Sequence, residues 1–398
     1  MNRREFLAVA AALPSLRAED SRKQLVLLTD DDVRLIGVAL HRNDAPLRRL
    51  ADSALEKGPW NVTGHRPQGI EVPPHEYYSE GPYWWPDPKN PDGPYIRKDG
   101  ERNPERFDDN HRDIGAMCTA TLSLCMGACF LKDERYAAHA RKILNAWFLA
   151  PETRMNPNLE FGQAVRGINT GRGTGIIDTV ALIHGVQGIM LLEYAGKLDP
   201  EVGAGLRRWF ANYLRWMTTS QKGLDEKKSG NNHATWWTAQ VAAYAGFTGD
   251  TAVRKMAWDH YSDILLRQIR PDGSCPREEA RTRSLSYSVF NLDAFSVLCR
   301  QAQIDGVDLW SGLNRAVEYL TPYVEHPDTW HKQQIAPFDS KGIVYPALAG
   351  LGLRSAELLN VYHSLPRNNS PWTLLIDQIA RAEENKSGGN LNGPRRLK

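Results

Sequence analysis

Two short segments carry residues whose types and order point to acid–base chemistry. The first is Ser229-Gly230-Asn231-Asn232-His233, directly ahead of an apolar run that begins at Ala234. Ser and Asn are good N-caps, because their side-chain oxygens accept from the free backbone N–H groups of a helix's first turn. The same helix start, flanked by amide and imidazole side chains, is also a natural seat for a carboxylate, since the N–H groups and the helix dipole favour negative charge there. The second segment, Arg281-Thr282-Arg283-Ser284-Leu285-Ser286-Tyr287, follows Glu278 and Glu279. Arginines behind two glutamates commonly end in surface ion pairs of little worth. A Tyr six residues after an Arg at a loop-to-helix junction can instead sit beside a guanidinium. A phenol titrates near ~10 and a neighbouring cation lowers that value, which is what a tyrosine base would need.

Other polar residues have plainer readings. His111, behind Asp108-Asp109-Asn110, reads equally as a partner at a helix start or as a groove residue. His184 lies in an apolar helix and is expected to be a satisfied core histidine. Asp178 is expected either to orient Arg172 or to cap a helix near Ile176, and of the neighbours Trp236 and Trp237 only one can face a groove.

The elements that must hold these segments are helices. Apolar residues recur near a period of 3.6 in Asp30 to Leu55, His111 to Phe130, Arg135 to Leu149, Ile176 to Tyr194, Val202 to Thr218, Ala234 to Tyr244, Ala252 to Ile269, Tyr287 to Gln303 and Leu309 to Tyr323. Turn residues such as Asp199-Pro200 and Pro271-Asp272-Gly273 punctuate the joins. No run of strands is expected. Many helices on short loops predict antiparallel pairs. Several, Ile176 to Leu192 among them, are apolar on more than one face, as the inner ring of a double ring of helices would be. Two stretches break the rhythm: 58–107, rich in Pro, Gly, Trp and Tyr, and 156–175, with Gly167-Ile168-Asn169-Thr170-Gly171-Arg172-Gly173. Irregular stretches of this length in a compact domain usually carry function.

Bulk properties narrow the field. The net charge is +2 over 398 residues, without the basic excess of a dedicated nucleic-acid binder. No run of about 18 or more apolar residues predicts a membrane span. The 12 Trp and 14 Tyr suit stacking on sugar rings, and suit a core equally well. Cys118, Cys125 and Cys129 share a helix face and Cys275 and Cys299 stand alone, so no disulfide framework and no zinc site are expected. Arg3 and Arg4 ahead of the apolar Ala8 to Leu16 predict a twin-arginine-like export signal over residues 1–18, hence a periplasmic or secreted protein. Its removal leaves a chain with no net charge, so a polyanion would have to be met by a local cationic site. Residues 19–382 then form one domain, and 383–398 a flexible tail.

Together these segments resemble the alginate lyase superfamily. Ser229 to Tyr244, SGNNHATWWTAQVAAY, is similar to that family's Asn-Asn-His helix, and Arg281 to Tyr287 to its Arg-then-Tyr segment. Gly81 to Asn103, GPYWWPDPKNPDGPYIRKDGERN, and Gly167 to Asp178, GINTGRGTGIID, resemble further blocks of one bacterial branch. The resemblance spans roughly residues 25 to 380. It implies an all-α fold, an α/α-toroid: an incomplete double ring of antiparallel helix pairs with long loops over a groove. It also implies cleavage of an acidic polysaccharide, alginate or a related polyuronate, with no metal or other cofactor. Asn232 and His233 would meet the sugar carboxylate, Tyr287 would transfer the proton, and Arg281 would complete the catalytic set, with Arg283 close enough to take its part. Arg172, Tyr83, Trp84, Trp85 and Asn231 would be substrate contacts.

The chemistry so implied is β-elimination. The proton at C5 lies beside a carboxylate and is barely acidic while that carboxylate keeps its charge. Donors that neutralise it stabilise the enolate-like state, by roughly 3–4 kcal/mol each on the analogy of oxyanion holes. A base then takes the C5 proton and an acid protonates O4. Tyr287 can do both for syn elimination, and His233 is the second partner for anti elimination. Glucuronan is an alternative substrate. An inverting glycoside hydrolase on a similar toroid would need two carboxylates roughly 6.5–9.5 Å apart. A non-catalytic sugar-binding protein would not depend on Tyr287.

Overall fold

The computed structural model describes residues 25–386. The expected signal at 1–18 and the end of the polar tail lie outside them. In chain order the α-helices are α1 (Asp30–Arg42), α2 (Ala45–Leu55), α3 (Asp109–Met126), α4 (Glu134–Leu144), α5 (Leu182–Tyr194), α6 (Pro200–Thr219), α7 (Gln221–Lys227) and α8 (Asn232–Thr248). They continue with α9 (Thr251–Asp263), α10 (Pro276–Glu279), α11 (Ser284–Ile304), α12 (Trp310–Glu325), α13 (Tyr345–Leu353), α14 (Ala356–Ser364) and α15 (Pro371–Lys386). The helix expected over Asp30 to Leu55 is two: Pro46 lacks an N–H and occupies the first turn of α2, so the chain breaks at Asn43-Asp44. Similarly, Ile176 to Tyr194 begins as a 3-10 helix, Gly173–Thr179, before α5. At the other end α15 runs past 382 to Lys386.

The helices form two layers. α3, α5, α8, α11 and α13 each pack against the next, and α15 touches both α13 and α3, so the succession of neighbours comes round to its start. Outside them lie α2 and α4 on α3, α6 and α9 on α8, α12 on α11 and α13, and α14 on α13. Burial follows the layering. α6 buries one stripe, Leu206, Trp209, Phe210, Tyr213, Leu214 and Met217, at the helical period. α8 and α11, enclosed by neighbours, are buried nearly all round. α5 approaches α3 closely at Gly188, where a Cβ would lie 3.1 Å from Leu122 Cα. The architecture is an α/α-toroid. One helical run, Asp109–Leu131, is long and apolar enough to span a membrane by length and composition, and most of it is buried inside the protein as an inner helix.

Four short strands appear where none were expected: β1 (Tyr78–Glu80), β2 (Trp84–Trp85), β3 (Ile96–Arg97) and β4 (Phe161–Ala164). β1 pairs in parallel with β4, with Tyr78 opposite Phe161, and β2 pairs antiparallel with β3. The β1–β4 pairing ties the two irregular stretches together, and Arg172 lies over the Trp84 ring.

Candidate active site

A cavity of about 680 Å³ opens among these stretches, α3, the start of α8 and the start of α11. It is lined by Tyr83, Trp84, Arg172, Asn231, Asn232, His233, Arg281, Arg283 and Tyr287, together with His111 and Asp178. Trp85 does not line it: its Nε1 donates to the Glu101 carbonyl and its ring lies under Lys98. Neither Trp236 nor Trp237 faces the cavity; Trp236 packs on Phe290 and Trp237 donates to the Met217 carbonyl. His184 stacks on Trp372 in the core, and burial pushes its titration down to about 3, so it is a neutral core residue.

The start of α8 is already occupied by the protein's own groups. Asn231 is the N-cap and accepts from His233 N–H at 3.3 Å. The Asn232 backbone N–H and side-chain Nδ2 both donate to the buried Glu278 carboxylate, at 2.6 and 2.7 Å. Glu278 thus takes the backbone N–H of Asn232 and one of its two Nδ2 protons, at the helix start that the sequence offered to a substrate carboxylate. Burial raises the Glu278 carboxyl, and the two Asn232 bonds partly offset this. His233 Nδ1 lies 2.6 Å from Oε1 of Glu226, which is itself buried on α7.

The α10–α11 junction builds the second half. Arg281 does not pair with Glu278 or Glu279. Its guanidinium meets Asp99, from the first irregular stretch, through Nη2 at 2.7 Å and Nε at 3.1 Å. Thr282 N–H and Oγ1 also donate to Asp99, at 3.3 and 3.1 Å. Gly100 (φ +77°) lets the loop sit this close, since a Cβ there would strike Thr282 Oγ1. Burial opposes the Asp99 charge, but the bonds from Arg281 and Thr282 hold its carboxyl well below the usual range. So anchored, Arg281 lies over the Tyr287 ring at 3.8 Å and donates to its hydroxyl at 2.8 Å. The Tyr83 hydroxyl sits 2.5 Å from the same oxygen. The sequence predicted that the arginine would lower the phenol's titration. Burial and the Tyr83 hydroxyl outweigh Arg281, and the phenol is raised, so it keeps its proton near neutral pH.

Arg283, in contrast, makes no ion pair among the described residues, and its buried Nε has no partner. Arg172 is held by a neutral group: Nε and Nη2 donate to the carbonyl and Oε1 of Gln163 at 3.0 and 2.9 Å. Gln163 adopts a left-handed backbone (φ 48°), which costs a non-glycine residue and persists only where neighbours enforce it. Here Ser79 accepts from its N–H and Asp178 from its Nε2, both at 2.8 Å. Asp178 thus orients Arg172 through Gln163, and it also accepts from Tyr77 and Ser79. Asp99, Glu226 and Gln163 were not singled out in the sequence, and Glu278 was read only as an ion-pair partner for the arginines after it; the fold places it on Asn232 instead.

An alginate lyase family model matches residues 62–330 of the chain. Comparison with curated proteins gives no match. Among solved structures, an alginate lyase from Bacteroides ovatus is 32% identical with a TM-score of 0.82, covering 90% of this chain and 99% of that one. Alginate lyase A1-III from Sphingomonas species A1 is 16% identical with a TM-score of 0.59, over 89% and 96% of the two chains. A histidine variant of A1-III complexed with a tetrasaccharide is 15% identical with a TM-score of 0.59, over 89% and 98%. The last two speak to the fold alone. With its family match over more than half the chain and its likeness to the Bacteroides ovatus enzyme along nearly its whole length, this chain belongs to the alginate lyase family and is a polysaccharide lyase.

Proposed function

We propose that the cavity cleaves a 1,4-linked polyuronate, alginate foremost, by β-elimination, with Tyr287 as the proton-transfer residue. The observation that carries this reading is the Tyr287 hydroxyl, set between Arg281 Nη2 and Tyr83 Oη on the wall of an arginine-rich cavity. To act as base, Tyr287 first releases its own proton to solvent; Arg281 Nη2 and the Tyr83 hydroxyl then stabilise the phenolate, which takes the C5 proton and, as the phenol, returns it to O4. Arg281 serves as the strut for Tyr287, since Asp99 already uses its charge. Arg283, with no such partner, neutralises the uronate carboxylate together with Asn232 and His233. Arg102 also lines the cavity without an ion pair among the described residues, and Arg172 meets no carboxylate directly. These uncompensated charges suit a polyanion. Tyr83, Trp84 and Arg172 would contact neighbouring sugars. Residues 1–18 would export the enzyme to the periplasm or beyond the cell.

The carboxylates lining the cavity count against an inverting hydrolase. Glu80 accepts from Arg166, Tyr78 and Phe107 N–H; Asp108 pairs with Arg106; Asp178 accepts from Tyr77, Ser79 and Gln163. None is left to pair with another across a scissile bond. The test is to incubate the enzyme with polymannuronate, polyguluronate and glucuronan and follow ultraviolet absorbance of the C4–C5 double bond. Absorbance rising on one of them supports the reading and names the uronate; new reducing ends without absorbance would move the assignment to a hydrolase.

A further inference from the structure

We propose that Glu226 is a positioning residue that holds His233 as an imidazolium, so that its Nε2–H is a charged donor to the substrate carboxylate. The proposal rests on the cavity being a polyuronate site. Three observations carry it. Glu226 is 1% exposed, and His233 Nδ1, at 2.6 Å, is the one hydrogen-bond partner of its side chain among the described residues. Its other oxygen, Oε2, is buried with no partner. His233 itself is part-exposed on the cavity wall, and its Nε2 makes no bond within the described protein.

A carboxylate taken out of water with half its lone pairs unused is costly unless an opposite charge touches it. The contact distance is that of a charge-assisted bond. The imidazolium is the cation in contact, and it returns the favour by keeping both ring protons. A neutral ring would use its one N–H, at Nδ1, to donate to Glu226 and turn a bare Nε2 lone pair toward an incoming carboxylate, which repels it. A doubly protonated ring presents Nε2–H instead. The charged groups facing this pair are Glu278 from α10 and Arg172 from the edge of the 3-10 helix; they act in opposite senses, Glu278 supporting the imidazolium and Arg172 supporting the Glu226 charge. On this account His233 binds and neutralises, and proton transfer belongs to Tyr287.

The test is nitrogen-15 NMR of histidine-labelled full-length enzyme near neutral pH, with the His233 ring assigned by its loss in His233→Gln. The expected result is two protonated ring nitrogens in the native enzyme. In Glu226→Gln, where the bond can persist but the charge is gone, one ring nitrogen should lose its proton near neutral pH. The KM for the polymer should rise more than kcat falls. An unprotonated Nε2 in the native enzyme near neutral pH overturns the proposal, as does a Glu226→Gln ring that titrates like the native one. If that variant does not fold, the native ring decides alone. Because the spectrum needs no turnover, its outcome is separate from whether the enzyme eliminates at all.

Discussion

At the scale of single residues, the question the sequence left open was which arginine serves the carboxylate. Arg281 and Arg283 are two positions apart yet differ in what surrounds them: Asp99 neutralises the first, and the second forms no ion pair among the described residues. Two variants separate their roles. Asp99→Asn should loosen Arg281 from Tyr287 and lower kcat by up to about 10²-fold, the cost of a small misplacement of a reacting group, with KM little changed. Arg283→Ala should cut kcat/KM by about 10²–10³-fold, as loss of a charge-stabilising donor does. Steady-state kinetics checks both; equal effects on KM and kcat in the two variants would contradict the division. The pairs Asn232-His233 and Arg281…Tyr287 were legible because they are local in sequence and appear in a fixed order. Asp99 was not, since it stands 182 residues from Arg281 and no spacing rule links them. Nothing in the sequence marks Glu226 as buried, and Glu278 reads as a surface ion-pair partner until the fold buries it.

At the scale of elements, periodicity announced most helices, and the departures have local causes such as Pro46 after Asn43-Asp44. The strands were missed because each is two to four residues long and is made by pairing across the chain rather than by alternation. One element join carries a pH dependence of its own. Asp293, on α11, is half-buried and accepts from the Val344 and Tyr345 N–H groups through one oxygen, at 3.1 and 2.8 Å, which caps α13 from a neighbouring helix. Burial pushes its carboxyl up to about 7, against partial relief from those two bonds. The folded state thus keeps a proton that the unfolded chain has already lost above ~4. The stability this group gives falls as pH rises through that window and levels off above about 7, with a slope of at most about 1.4 kcal/mol per pH unit. Asp293→Asn keeps an acceptor oxygen and loses the titration. Denaturation midpoints measured across the window should converge or cross in the variant's favour as pH rises; parallel curves would contradict this account.

At the scale of the whole molecule, the ring explains why residues so far apart in sequence share one cavity. The starts of α3, α8 and α11 line that cavity, and the irregular stretches, tied by β1 and β4, line it with them. Helices apolar on several faces hinted at an enclosed layer, so the toroid was partly legible from burial alone. The closing of the circuit through α15 was not, since it joins α15 to α3, helices far apart in sequence with no local signal linking them. Net charge near zero likewise hid a cavity rich in arginine, because charge balance over the molecule says nothing of its distribution. The central claim is that Tyr287 moves the proton within this arginine-lined cavity. Replacing it by Phe keeps the ring under Arg281 and removes only the hydroxyl. The measurement is ultraviolet absorbance of unsaturated product from the best polyuronate, with polymer binding followed in parallel. The account predicts that Tyr287→Phe binds the polymer and forms no double bond; undiminished elimination by the variant would contradict it.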